Sequence, residues 1–297
     1  MGEILLVNVT LVIVNQCAKN GKALEYEIAK QLMDCGARGL DNTMGFQARD
    51  RSHFATRPQH LRSRFVEASK VIVTWILEES GGTVLTVRRM EDVSGGVADL
   101  VVVGKGDQAT RLSIKHNHDA LKHPRPYSLA QACGFRKASA EDIQHRTAMD
   151  VAATAFRFAA KRQKKSRYIE LPIAKAKLYC DVVDTCAGSI GCWESKSGIA
   201  APLFQFFVGA GFKKLIVSPE MGGAIELQDF TGIARPAKVL GKRTSDLDRL
   251  ELTFDNRWVL DCRLHTAATK ISPPSSQLSL KFDVRRVQGS APTQRLA

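Results

Sequence analysis

Two short runs separated by a polar turn constrain the fold of this chain more than any other feature. Residues 97–103 are dominated by valine and leucine, residues 111–115 alternate polar and apolar side chains, and residues 104–108 contain two glycines and an aspartate. Strand-forming runs joined by a short glycine-containing turn are typical of an antiparallel β-hairpin. We therefore expect a sheet that includes strands at 97–103 and 109–115.

The predicted hairpin brings together three side chains of different chemistry. Antiparallel pairing of its strands places Asp99 opposite Ser113, with Lys115 diagonally adjacent on the same face. A carboxylate binds hard cations such as Mg2+, and an ammonium stabilises the charge that develops when a phosphodiester is hydrolysed. This pattern indicates the chemistry of PD-(D/E)xK nucleases. The alternative is an ordinary hairpin with a surface ion pair.

A helix over residues 21–35 supplies a further candidate acid. Its apolar residues recur at helical spacing from Leu24 to Cys35. Glu25 lies nearer to this apolar stripe than Glu27, so we expect Glu25 to point inward and to serve as a second metal ligand. We expect Glu27 to be solvated beside lysines such as Lys30.

A dense group of polar side chains follows the second strand of the hairpin. It includes five candidates for contact with DNA, namely Asn117, His118, Lys122, His123 and Arg125. Their donor groups suit phosphates and the edges of bases in a groove. A polar surface loop is the alternative interpretation.

The rest of the chain predicts a single α/β domain with elaborations. Helices are expected at 61–79, 141–161 and 174–185, with an apolar run at 198–209. Strands are expected at 83–88, 215–217, 250–254, 258–264 and 279–284. Residues 4–14 are apolar but too short to span a bilayer, and they are interpreted as a strand, as a helix, or as lying before the natural start of translation.

Composition favours a polyanionic partner without identifying it. The chain has 43 lysines and arginines against 30 acidic residues, which gives a net charge of +13. Its seven cysteines show no CxxC pair and fit a reducing cytoplasm, and the single CxxH of Cys262 and His265 lacks a second ligand pair. We expect no export and no membrane anchor.

Several short blocks of sequence occur in a characteristic order. They are GKALEY at 21–26, GVAD at 96–99, SIKHNH at 113–118, LKHPR at 121–125, LTFDN at 252–256 with Trp258, and SLKFD at 279–283. In order and spacing these blocks resemble the HaeIII family of type II restriction endonucleases, over residues 21–285.

The resemblance implies a fold and a chemistry. It implies a PD-(D/E)xK-like core, a mixed sheet flanked by helices, within one endonuclease domain over residues 21–290. The catalytic core would cover about 21–165 and a β-rich C-terminal part about 210–290, after an N-terminal extension at 1–20. It also implies Mg2+-dependent cleavage of unmethylated double-stranded DNA at a short palindrome, GGCC in the family, beside a cognate DNA methyltransferase in a prokaryotic cytoplasm.

Individual roles follow from the same resemblance. Asp99 matches the metal-binding aspartate, Lys115 the catalytic lysine and Glu25 the acid of the first helix. Ser113 replaces the second acid of the general motif, so we expect the backbone carbonyl of Ile114 to join Asp99 and Glu25 around Mg2+. A palindrome has two equivalent strands, which favours a homodimer.

Three other functions are compatible with the sequence. A DNA repair nuclease on the same core would select branched or damaged DNA by its shape. A catalytically inactive DNA-binding protein is compatible with Ser113 at an acid position. An RNA-binding protein is less favoured, because neither an aromatic RNP pattern nor a GXXG clamp is evident.

Overall fold

The computed structural model describes residues 19–40, 43–90, 97–117, 121–195, 198–218 and 223–297. The predicted element at 4–14 and the predicted DNA contact His118 lie outside these residues. The described residues divide into two compact units. Unit 1 comprises the chain up to Asp119 together with Ala210–Gly232 and Ala291–Ala297, and unit 2 comprises Ala120–Gly209 and Ile233–Ser290.

Unit 1 begins with three helices. Helix α1 spans residues 19–34, α2 spans Thr43–Ala55 and α3 spans Gln59–Glu79. The predicted first and second helices are confirmed, although Cys35 is exposed just beyond α1. Gly36 follows with a φ of 98°, a left-handed conformation that ends helices.

Helix α2 was not predicted, because it has no apolar stripe. The residues that it buries are Thr43, Gln47 and Asp50, all of them polar. Hydrophobic periodicity detects only helices that bury an apolar face. The polar face of α2 packs instead near the second strand of the sheet.

A seven-stranded mixed sheet forms the centre of unit 1. Its strands are β1 (Arg38–Gly39), β2 (Val84–Arg89), β3 (Leu100–Gly104), β4 (Ala109–His116), β5 (Lys213–Ser218), β6 (Ala224–Asp229) and, near the C-terminus, β11 (Thr293–Arg295). The order is β1-β2-β3-β4-β5-β6-β11. The pairs β1–β2 and β4–β5 are parallel, and the other pairs are antiparallel.

The predicted hairpin is confirmed as β3 and β4. Leu100 pairs with Leu112, so Asp99, one residue before β3, stands level with Ser113 as expected. The sheet and helices α1 and α3 share one apolar core, in which Leu24, Ile72 and Leu112 are fully buried. This core fixes the register of β4, because a slip by one residue would bury Ser113 and Lys115 in it.

Unit 2 is a helical layer with a four-stranded antiparallel sheet. Its helices are α4 (Leu129–Ala132), α5 (Ala140–Arg162), α6 (Pro172–Glu194) and α7 (Ala200–Phe207), and its strands are β7 (Val239–Arg243), β8 (Arg249–Phe254), β9 (Val259–Thr266) and β10 (Leu280–Gln288). The strand order is β10-β9-β8-β7. Helix α6 packs on β7, where Ile190 contacts Gly241.

The mixed α/β class with helices flanking a mixed sheet is confirmed. The predicted strands at 83–88, 215–217, 250–254, 258–264 and 279–284 and the predicted helix at 141–161 are found, with ends shifted by at most four residues. The helix predicted at 174–185 extends to Glu194, and the apolar run at 198–209 contains α7. Strands β1, β6, β7 and β11 and the short helix α4 were not predicted. Residues expected in one catalytic core over 21–165 occur in both units, and a single endonuclease domain over 21–290 stays a prediction. Within the described ranges, no helix is long and apolar enough to cross a membrane.

We predict that Gly104→Ala destabilises the protein by about 1–3 kcal/mol, because the added methyl group would clash with Ser80. A Cβ atom at Gly104 would lie 2.7 Å from the Cβ of Ser80. The control is Gly188→Ala in α6, which meets nothing within 4 Å and should stabilise the helix by up to about 1 kcal/mol. Urea unfolding of both variants measures the difference, and equal stabilities would contradict the prediction.

Candidate functional site

Asp99 is held in place by hydrogen bonds with β4 and with Met90, which follows β2. Its backbone N–H donates to the carbonyl of Leu112 at 2.7 Å, and its carbonyl accepts from Met90 at 3.0 Å. Its Oδ2 atom accepts from the backbone N–H of Ile114 at 2.7 Å and from Lys115 Nζ at 3.1 Å. The carboxylate is therefore fixed at the point where β3 begins beside β4.

The hairpin also orients the other two predicted members of β4. Ser113, almost fully buried, donates its hydroxyl to Asp99 Oδ2 at 3.3 Å. Lys115 is partly exposed, as is Asp99, with side-chain exposures of 27% and 15%. The ammonium and the carboxylate are therefore accessible from solvent, whereas Ser113 is not.

The carbonyl of Ile114 faces the side of the strand on which Asp99 lies. In a β-strand, the N–H and C=O of one residue point in roughly the same direction. The N–H of Ile114 donates to the Asp99 carboxylate, so the Ile114 carbonyl is directed towards β3. This orientation agrees with its predicted use as a ligand on that side.

Glu25 belongs to a buried network that the sequence analysis missed. Arg89, at the end of β2, donates from one Nη2 atom to Glu25 Oε2 at 2.6 Å and to Asp50 Oδ2 at 2.7 Å. Its Nη1 donates to Gln47 Oε1 at 3.1 Å. All four residues are buried. Arg89 therefore ties α1 and α2 to the strand next to β3.

The pKa of Glu25 is shifted by its burial and by charges on the hairpin. Burial, and next the negative charge of Asp99, raise the pKa of Glu25 to about 7, against the lowering effects of Lys22, Arg89 and Lys115. A shift by burial and by a second carboxylate means that the charged form of Glu25 is under-stabilised. The structure thus brings Glu25, Asp99 and Lys115 into one electrostatic cluster.

The expectation for Glu27 was wrong. Glu27 is as buried as Glu25, and its Oε1 accepts from Gln31 Nε2 at 2.9 Å. Lys30 pairs instead with Asp34 at 2.8 Å. A helix packed on a sheet and on other helices buries more than one stripe, so both glutamates face protein.

The donor groups of this cluster fit Mg2+. Two carboxylates and a backbone carbonyl are the hard oxygen ligands that this ion prefers. Two carboxylates that oppose each other's ionisation are a site where a divalent cation relieves repulsion. The ammonium of Lys115 on Asp99 and the guanidinium of Arg89 on Glu25 supply part of this compensation within the protein itself.

The predicted DNA contacts do not all lie in the same unit. Asn117 follows β4 in unit 1, with a φ of 52° and an exposed side chain, whereas Lys122, His123 and Arg125 belong to unit 2. Arg125 is exposed. Lys122 is half-buried and donates from Nζ to the carbonyl of Gln205 at 3.2 Å, and burial lowers its pKa to about 8. Their contact with DNA stays a prediction.

The signal that could have revealed Arg89 is weak. Arg88 and Arg89 end a predicted strand, and alternation requires one of them to face the core side. The choice between them depends on α2, whose polar residues give no periodic signal. Asp50 and Gln47 were missed for the same reason.

No protein family, no curated protein and no solved structure matches this chain. The resemblance to the HaeIII family therefore stays a prediction that rests on the sequence blocks.

We predict that Arg89→Met destabilises the protein by about 3–5 kcal/mol, because it removes the buried cation shared by Glu25 and Asp50 and leaves them only their partly exposed partners, Lys22 at 3.4 Å and Arg49 at 2.7 Å. The exposed neighbour Arg88 provides the control, and Arg88→Met should change stability by less than about 0.5 kcal/mol. Chemical unfolding of the two variants tests this. A small loss in Arg89→Met would show that the network does not hold the elements together.

We predict a pH-dependent difference between the wild type and Glu25→Gln. The folded protein binds the Glu25 proton more tightly than the unfolded chain, since its pKa is about 7 instead of 4.5. The stability contributed by this protonation is fully present below pH 4.5 and is lost as the pH rises through about 7. In EDTA, the unfolding free energy of the wild type should thus fall relative to Glu25→Gln by up to about 3 kcal/mol over this range. Parallel pH curves would contradict it.

Proposed function

We propose that this protein is a Mg2+-dependent endonuclease that cuts double-stranded DNA, in the manner of a type II restriction enzyme. The observation that carries the proposal is the fixed Asp99 carboxylate with Lys115 Nζ at 3.1 Å, in the electrostatic field of the buried Glu25. A mixed sheet flanked by helices supports it, and so does the net charge of +13.

The residues divide the hydrolysis between them. Bound Mg2+ would polarise the phosphate and lower the pKa of the attacking water. Asp99, Glu25 and the carbonyl of Ile114 would hold this ion. Lys115, partly exposed beside Asp99, would orient the attacking water and stabilise negative charge on the phosphate as the 3′ oxygen leaves. Ser113 would keep the Asp99 carboxylate in place through its hydroxyl.

The substrate and partners belong to the same proposal. The target would be a short unmethylated palindrome such as GGCC, protected in the host by a cognate methyltransferase. Asn117, His118, Lys122, His123 and Arg125 would contribute to DNA binding. Two copies of the chain would cut the two strands of a palindrome in one encounter. One subunit per DNA, measured by light scattering, would overturn the dimer.

A catalytically inactive DNA-binding protein is the second candidate. It is favoured by one observation, namely that Ser113 occupies the place of the second acid on β4 while Lys115 already neutralises Asp99. Charge compensation within the protein reduces the need for a metal ion. A structure-selective repair nuclease would use the same residues and differ only in its substrate.

We predict that unmethylated plasmid DNA is cut in Mg2+ but not in EDTA, and that Lys115→Ala and Asp99→Asn lower the rate by at least about 100-fold. The control is Lys105→Ala, an exposed lysine in the turn of the same hairpin, which should cut normally.

The products separate the candidates. Discrete fragments with a common end sequence support the restriction enzyme. A smear or selective cleavage of branched DNA supports the repair nuclease. Intact DNA that is still retarded in a gel supports the inactive binder and overturns the proposal.

A further inference from the structure

Three polar side chains converge on one face of unit 2. The segment 121–124 runs alongside β10, because Leu121 N–H donates to the carbonyl of Val284 at 3.1 Å and Phe282 N–H donates to that of Pro124 at 2.9 Å. Strand β9 pairs with the other edge of β10. Strand β10 is therefore the middle of three adjacent extended segments.

Each of these segments contributes one side chain. His123 comes from the first, Asp283 from β10 and His265 from β9. His265 pairs with Lys281, two residues before Asp283, so His265 and Asp283 share a face because side chains alternate. One ligand atom from each of the three residues lies within 4.8 Å of the others.

The separations are close to those of a metal site. His123 Nδ1 lies 3.0 Å from Asp283 Oδ1. Around a tetrahedral zinc ion, ligand atoms at about 2.1 Å from the metal lie roughly 3.4 Å apart. Side-chain movements on the order of 1 Å would therefore bring the three atoms to bonding distance of one ion.

His265 provides an independent indication of a ligand. Its Nε2 atom is buried from solvent and has no hydrogen-bond partner among the described residues. A buried polar atom without a partner is unfavourable by about 1–3 kcal/mol, so such atoms usually have a partner or a bound ion. A metal ion bound at Nε2 would satisfy this nitrogen.

Neighbouring cations limit the affinity of this cluster. Metal ligation requires neutral imidazole and ionised carboxylate, so His123 Nδ1 would have to give up any hydrogen that it donates to Asp283. The cations Arg263, 3.6 Å from Asp283 Oδ2, and Lys281 oppose a further positive charge. We therefore expect an affinity in the micromolar range, well below that of a closed structural site.

We propose that His123, Asp283 and His265 form a site for a divalent transition metal ion, most simply Zn2+, with a fourth position open to water. Two imidazole nitrogens and one carboxylate oxygen match the donors that zinc uses in open sites. The site is separate in composition from the all-oxygen ligands proposed for Mg2+. Cys262 takes no part, because it is fully buried on the opposite face of β9.

The test is equilibrium dialysis of the full-length protein against Zn2+ at pH 7.5, after the accessible thiols have been blocked with iodoacetamide. We expect one zinc ion per chain, and a loss of affinity of at least about tenfold in His265→Gln, His123→Gln and Asp283→Asn. The matched control is His60→Gln, an exposed histidine at the start of α3, which should bind as the wild type does.

A thermal melt with and without Zn2+ distinguishes variants that have lost zinc binding from variants that do not fold. Zinc should raise the Tm of the wild type and of His60→Gln but not that of His123→Gln, whose partly exposed ring can be replaced without disturbing a core. The proposal is overturned if the wild type binds no zinc below about 100 µM, or if folded His123→Gln and Asp283→Asn bind it unchanged. Neither result depends on nuclease activity.

Discussion

The ion-pair network of Arg89 is the interaction on which the architecture of unit 1 depends most. One guanidinium at the end of β2 bonds Glu25 of α1 as well as Asp50 and Gln47 of α2. Ions inside a protein are tolerated only when opposite charges and hydrogen bonds compensate them. The network therefore requires α1, α2 and β2 to come together in one arrangement. It adds to the few apolar contacts of α2, such as that of Phe54 with Tyr26.

In this arrangement the charged form of Glu25 is incompletely stabilised. Arg89 divides its charge between two acids, and Glu25 also lies in the field of Asp99, so burial and repulsion together raise the pKa of Glu25 to about 7. Perturbed acids of this kind concentrate at functional sites, although structural networks can produce them as well. Here the perturbed acid lies in the field of a fixed carboxylate and a partly exposed lysine. This coincidence is what makes a hydrolytic metal site the preferred interpretation of the cluster.

Elements that bury apolar side chains could be predicted from the sequence, whereas elements that bury polar side chains could not. Alternation along residues 111–115 and the helical spacing from Leu24 sufficed to predict the β3–β4 hairpin, the register of Asp99 with Ser113, and α1. Helix α2 and the Arg89 network were missed because they bury polar groups through specific long-range pairs, for which sequence spacing gives no signal. His265 was considered only with Cys262, but side chains three apart in a strand face opposite ways. Its neighbours in space, His123 and Asp283, come from distant parts of the chain.

The most direct test of a metal-dependent site at Asp99 is a crystal structure of the protein with a DNA duplex and Mn2+, using anomalous diffraction to locate the metal. We expect an anomalous peak at about 2.2 Å from carboxylate oxygens of both Asp99 and Glu25, with a phosphate oxygen among the remaining ligands. Lys115 should then have left Asp99 for the phosphate or its attacking water. A structure with bound DNA in which Lys115 still pairs with Asp99, and in which Mn2+ binds only at His123, His265 and Asp283 or not at all, would contradict the proposed mechanism.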